Sequence, residues 1–188
     1  MNKTVVALAV ALAFGAVSTV SAQQATPAEP TAAAAPAPAA LNDAQIAHIA
    51  YTAGVIDVTA AKQALKKSHN PDVIAFAKEM ARDHAAVNDQ ALALAKKLGV
   101  TPEDNATSKS LAKDAAAEQK KLAKLSGAAY DKAYAENEVA FHKAVLAALD
   151  GTLIPATQNA ELKTLLETGS KLFHSHEMHA EHLVQGLK

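Results

Sequence analysis

The sequence predicts an all-α protein: an antiparallel four-helix bundle, with a short extra helix between the second and third long helices. Three observations point there. Apolar residues recur at alternating three- and four-residue steps over four long segments, the spacing of helices packed along a common axis. Beyond residue 40 only Pro71, Pro102 and Pro155 remain, each where that spacing breaks. Half the residues are apolar yet only 4% are aromatic, so Ala, Leu and Val must build the core, a mixture better suited to close-packed helices than to a β-sandwich. No segment alternates with period two for long enough to make a convincing strand.

The first elements are an address and a tether. Lys3 precedes an apolar run from Val5 to about Val17, and Val20-Ser21-Ala22 supplies small residues before a cleavage point. Residues 1–22 therefore read as a secretory leader cut after Ala22, with an uncleaved anchor as the competing reading. No other stretch is expected to cross a bilayer, so the mature chain is expected in the periplasm, with at most peripheral attachment to the envelope. Residues 25–40 hold nine Ala and four Pro, a density of Pro that blocks helix propagation. Residues 23–41 are thus a disordered Pro/Ala tether, and 42–188 form the bundle domain.

Punctuation sets the helices that follow. Asn42 with Gln45 makes a capping box that opens a first helix over 43–68, ended by Lys66-Lys67 and a turn at Ser68–Pro71. Asn70 caps the second helix, Pro71 takes its first position, and Gly99 lies past its end at Leu98. A short helix over 108–125 follows. Ser126-Gly127 restarts the chain into a third long helix, 128–150, closed by Gly151, and a loop holding Pro155 leads to the fourth, 158–186.

The seams of these helices carry ionisable residues where a core is expected. The first reads Ile46, Ala50, Ala53, Asp57, Ala60, Ala64; the second includes Met80, His84 and Val87; the third reads Asp131, Ala135, Glu138, His142, Val145, Leu149. The fourth reads Leu162, Leu165, Gly169, Leu172, His176, His179, Leu183. Burying such groups unpaired costs several kcal/mol, so partners or a ligand are required. With both tight turns at one end of an up-down-up-down bundle, Asp57, His84, Glu138 and His142 fall about 12–20 Å from that end, with Gly169 opposite leaving space. Two carboxylates and two imidazoles at one level could bind Zn²⁺, Fe²⁺, Mn²⁺, Cu²⁺ or Ni²⁺, or could form a hydrogen-bond network that fixes register. Glu138 and His142 could also turn outward, because the face with Tyr130, Tyr134 and Phe141 is equally apolar. The same depth arithmetic pairs Asp131 with His176. His176, His179 and His182 have i,i+3 spacing that could chelate a divalent ion weakly.

Other chemistry is excluded or unsupported. Eighteen Lys and Arg against 19 Asp and Glu leave a net charge of −1, which gives no field for nucleic acid or anionic lipid. Without Cys there is no disulfide, thiolate site or Cys nucleophile. No phosphate loop, dinucleotide turn, nucleophile elbow or His-Glu-x-x-His motif is present.

Gly54-Val-Ile-Asp57, Phe76-Ala-Lys-Glu-Met-Ala-Arg-Asp83-His84, Leu125-Ser-Gly127, Tyr130-Asp-Lys-Ala-Tyr134, His142 and the end of the last helix around His176 resemble a known family. It is the ferritin-like domain-of-unknown-function family four-one-four-two, of exported bacterial proteins often labelled as outer-membrane proteins. The resemblance spans roughly residues 42–186. It implies a ferritin-like fold and an envelope location, and it adds Asp83 to the site as an orienter of a ligand imidazole. The family usually carries Glu where this chain has Asp57. A di-iron ferritin centre needs a Glu-x-x-His on each of two helices. This chain has none, which argues against conventional ferroxidase or iron storage. Three readings result: a non-enzymatic, stress-associated envelope protein whose polar core binds a divalent metal; an atypical ferritin-like redox metalloenzyme; and a metal-free scaffold for an envelope protein partner.

Overall fold

The computed structural model describes residues 40–187, and all regular structure among them is helical. The expected leader and nearly all of the tether lie outside the described residues. The elements are α1 (Asp43–Lys67), α2 (Pro71–Leu98), α3 (Ala106–Leu122), α4 (Gly127–Ala148), α5 (Ile154–Ala156) and α6 (Ala160–Gly186), with a π turn at Leu149–Leu153 joining α4 to α5.

The starts of α1 and α2 follow from local chemistry. Asn42 accepts from the Gln45 backbone N–H at 2.8 Å while the Gln45 side chain accepts from the Asn42 backbone N–H at 3.2 Å. Asn70 caps α2 by accepting from Asp72 and Val73, and Pro71 needs no donor there. Gly99 ends α2 at φ +65° and Gly127 opens α4 at φ +54°, a region costly for residues with a Cβ. Against expectation, the chain does not leave the helix at Gly151. It continues through the π turn and α5, closed by the Thr157 hydroxyl donating to the Leu153 carbonyl at 2.6 Å.

The two tight turns lie at opposite ends, contrary to the up-down-up-down expectation. The reason is α3, which carries the chain back along α1. Its start is tied to the start of α1 by Glu103 N–H donating to the Ala44 carbonyl and Asn105 Nδ2 to that of Gln45. Its end is tied to the end of α1 by Lys67 Nζ donating to the carbonyls of Ala123 and Leu125. The α6 start returns to the α1 start, where Asp43 accepts from the backbone N–H groups of Gln158 and Asn159 at 2.9 and 2.8 Å. Hence α1, α3 and α6 run one way and α2 and α4 the other. A 17-residue helix spans about 25 Å, so α3 moves α4 to start beside the α1–α2 turn.

This inverts the depth of every residue on α4 and α6. From the α1–α2 end, Asp57, His84, Glu138, His142 and His176 lie at about 15, 20, 16, 22 and 15 Å, whereas Asp131 lies at about 6 Å. Two apolar clusters sandwich that polar level. One gathers Ala64, Phe76, Met80, Tyr130, Tyr134 and Leu183 toward the α1–α2 turn. The other gathers Ile46, Ile49, Leu146, Leu149, Leu162 and Phe173 toward the opposite end. Burying each large aliphatic side chain contributes about 1.5–3 kcal/mol.

The buried stripe of α6 is Leu162, Leu166, Gly169, Phe173, His176, Ala180 and Leu183. It shares four positions with the expected seam, but Leu166, Phe173 and Ala180 replace Leu165, Leu172 and His179. At Gly169 a Cβ would meet the Phe173 ring at 3.6 Å, an ordinary contact, so that ring bounds the space expected there. The continuous segment Gly127–Ala156 is long and apolar enough to cross a membrane by length and composition, against the expectation that no later stretch is. Its inner face carries Asp131, Glu138 and His142, all buried in the protein.

Candidate metal centre

Three imidazoles from three helices meet at the polar level. His84 on α2, His142 on α4 and His176 on α6 are each at most 2% exposed. Their ring centroids lie 5.5, 5.2 and 5.7 Å apart in a closed triangle, and Phe173 stacks on His84 at 4.6 Å. One nitrogen from each ring can be chosen so that all three lie within 4.8 Å of one another. An ion about 2.1 Å from each would need them within about 4.2 Å, a small closure for side chains.

Hydrogen bonds decide which nitrogens are free. His142 Nδ1 donates to the Glu138 carbonyl at 3.0 Å, which leaves Nε2 buried without a partner. His176 Nε2 donates to Asp83 Oδ2 at 3.1 Å, which leaves Nδ1 buried without a partner. His84 has no hydrogen bond at either nitrogen; its Nδ1 stands 3.4 Å from Asp57 Oδ2. His142 and His176 thus each have one nitrogen bonded to a protein oxygen and one lone pair unsatisfied, the pattern of ligand histidines held in one tautomer, while His84 has both nitrogens unpartnered. Unmet buried polar atoms of this kind cost about 1–3 kcal/mol each.

The carboxylates of Asp57 and Glu138 are 2% and 1% exposed and, with His142, form a second group able to hold an ion. Among the described residues no Lys or Arg pairs with them; His84 and His142 are their only ion-pair neighbours. Burial, and then the charge of Glu138, pushes Asp57 well above the usual carboxylate range. Burial raises Glu138 to about 8. Burial, and then the neighbouring imidazoles, lowers His84 to about 2, and burial lowers His142 to about 4. His176 is also lowered by burial, with Asp83 opposing. At neutral pH the layer therefore offers neutral imidazoles, which are metal ligands, beside a Glu138 carboxyl that holds a proton until a cation displaces it.

This arrangement fixes a pH dependence. Unfolded, Glu138 ionises near 4.5; folded and metal-free, it keeps its proton to about 8. The folded state thus binds more protons between those values, and stability falls as pH rises through them. The depressed histidines act in the opposite sense, but only below about 6.5, where unfolded rings gain protons. From pH 6.5 to 8 the Glu138 carboxyl acts without that opposition. Urea unfolding of metal-free protein is expected to show a loss of about 1.4 kcal/mol per pH step at most, and Glu138→Gln is expected to flatten it. Equal slopes in both chains would show that Glu138 ionises freely when folded.

The other sequence candidates are placed elsewhere. Asp131 does not pair with His176: it lies about 9 Å nearer the α1–α2 turn, buried with Oδ1 unpartnered. His179 stands 43% exposed, with Nδ1 2.7 Å from Glu79 Oε2. Because His176 points inward, its i,i+3 spacing to His179 makes no surface chelate. Asp83 orients His176, and Arg82 grips it with bonds of 2.6 and 3.0 Å. The Arg82 hydrogen bonds hold the Asp83 carboxyl below its usual range, with burial opposing them and the His176 bond adding to them. Sequence reasoning missed Phe173 as a wall and Glu79 as a partner. The i,i+4 spacing of Glu79 and Asp83 was visible, but not its facing of α6.

No curated protein and no solved structure matches this chain. A family model described as "Domain of unknown function (DUF4142)" matches residues 28–183, starting inside the expected tether. The protein carrying this buried His/Asp/Glu layer belongs to the DUF4142 family.

Proposed function

We propose that this is an exported metal-binding protein in which α1, α2, α4 and α6 form a ferritin-like four-helix bundle, with α3 as its one long crossover. The polar level would hold one divalent transition ion on His84, His142 and His176, with Asp57, the Glu138 carbonyl and Asp83 fixing the rings. One observation carries this reading: three buried imidazoles from three helices can each offer a nitrogen within 4.8 Å of the others, and each ring has a buried nitrogen without a hydrogen-bond partner. Neutral imidazole suits Zn²⁺, Cu²⁺, Fe²⁺ and Ni²⁺, and the adjacent carboxyls supply the charge that would also admit Mn²⁺. The leader pattern around Lys3 and Ala22 supports a periplasmic location, and the Pro/Ala tether would hold the bundle clear of a membrane.

Metal content tests the proposal. The full chain, expressed with its own leader and no tag, is expected to carry about one ion per chain, and His84→Ala to lose it while keeping its helical circular dichroism. Metal-free wild type that also takes up none of these ions at micromolar levels would overturn it.

A further inference from the structure

An ion cannot reach ligands this deeply buried without crossing a seam between helices. At the α2–α6 seam, two carboxylates one turn apart on α2 face two imidazoles one turn apart on α6. His176 Nε2 bonds Asp83 at 3.1 Å, and His179 Nδ1 bonds Glu79 at 2.7 Å. Exposure falls inward along this set: His179 43%, Glu79 31%, Asp83 17%, His176 1%. Glu79, Asp83 and His176 can each offer an atom within 4.8 Å of the others. Among the described residues, it is the only such trio that touches both solvent and the interior triangle. His176 belongs to both, with Nε2 toward Asp83 and Nδ1 unpartnered and buried.

We propose that Glu79, Asp83 and His179 form a capture site for a divalent cation, through which the ion reaches the interior with His176 as the shared ligand. This rests on the interior being a metal centre. The carboxylates attract the hydrated ion, and His179 adds a nitrogen ligand. Because the His176 ring bonds Asp83 through Nε2 and keeps Nδ1 buried and unpartnered, it can ligate an ion first on the outer side and then on the inner, one nitrogen for each. Arg82 holds Asp83 closed, but it is 72% exposed, so its release to water costs little.

Cobalt supplies a probe, because Co²⁺ absorbs visibly and more strongly in a low-coordinate protein site than in water. Metal-free full chain is mixed with excess Co²⁺ in a stopped-flow cell. Glu79→Gln/His179→Gln is expected to load at least about tenfold more slowly than wild type and to reach the same final spectrum, because the three interior imidazoles are untouched. Arg82→Ala, which frees Asp83, is expected to load faster. A double variant that loads at the wild-type rate overturns the port and leaves the centre standing. One that never attains the final spectrum also overturns the port, since those residues would then be part of the equilibrium site. Wild type that develops no protein-bound cobalt spectrum overturns the centre and the port together.

Discussion

Zinc added to the metal-free chain at about a thousand times its dissociation constant is expected to raise the unfolding free energy by about 4 kcal/mol, or the melting temperature by roughly 10 °C. The ligands explain the size. His84, His142 and His176 lie on three different helices and far apart in sequence, so an unfolded chain cannot gather them and the binding energy goes to the folded state. The stabilisation should be greater at pH 8 than at pH 6, because fewer protons then compete for the layer. His142→Gln should lose most of the shift, since it removes Nε2 from the triangle. His174→Gln/His182→Gln should keep it, since those exposed rings point away from the core. Differential scanning calorimetry with and without zinc decides the matter. A shift of equal size in His142→Gln would place the zinc elsewhere, on the surface histidines.

Replacing the whole polar level should stabilise the metal-free protein. A chain carrying Asp57→Leu, His84→Leu, Glu138→Leu, His142→Leu and His176→Leu is expected to gain about 1–4 kcal/mol in urea unfolding and to bind no metal. The buried layer leaves both His84 nitrogens, His142 Nε2, His176 Nδ1 and Glu138 Oε2 without hydrogen bonds, and apolar side chains of similar size would join the two flanking clusters into one core. A single Glu138→Ala change should do the reverse and cost about 2–5 kcal/mol, because it leaves a cavity at a fully buried position without joining the two apolar clusters. The contrast separates a layer kept for a ligand from one kept for register. If the fivefold variant is less stable than wild type, or loses its cooperative transition, the polar groups specify the helix packing instead.

The helices and most of the site residues were legible because their signals are local. The Asn42–Gln45 capping box, Asn70-Pro71 and Gly99 act within a few residues, and the structure places the ends of α1 and α2 within a residue of the expected positions. Asp57, His84, Glu138 and His142 stood out as ionisable groups on apolar seams, and all four are buried. Gly151 misled as a stop, because a π turn carries the helix past it. On α6 the seam drifted by one position at Leu166, Phe173 and Ala180, since both candidate stripes are apolar enough at 3.6 residues per turn.

By itself, then, the sequence determined the helical class, the caps, and the presence of charged and imidazole groups inside, all consequences of local propensity and periodic burial. Tertiary structure decided which of those groups share a level. Chain direction is set by the long-range bonds of Lys67, Asn105 and Asp43, which return α3 along α1 and put the second tight turn at the far end. That reversal brings His176 to the level of His84 and His142 and separates it from Asp131, its expected partner. Periodicity along one helix says which residues face inward, but only the direction and offset of its neighbours say what they meet there.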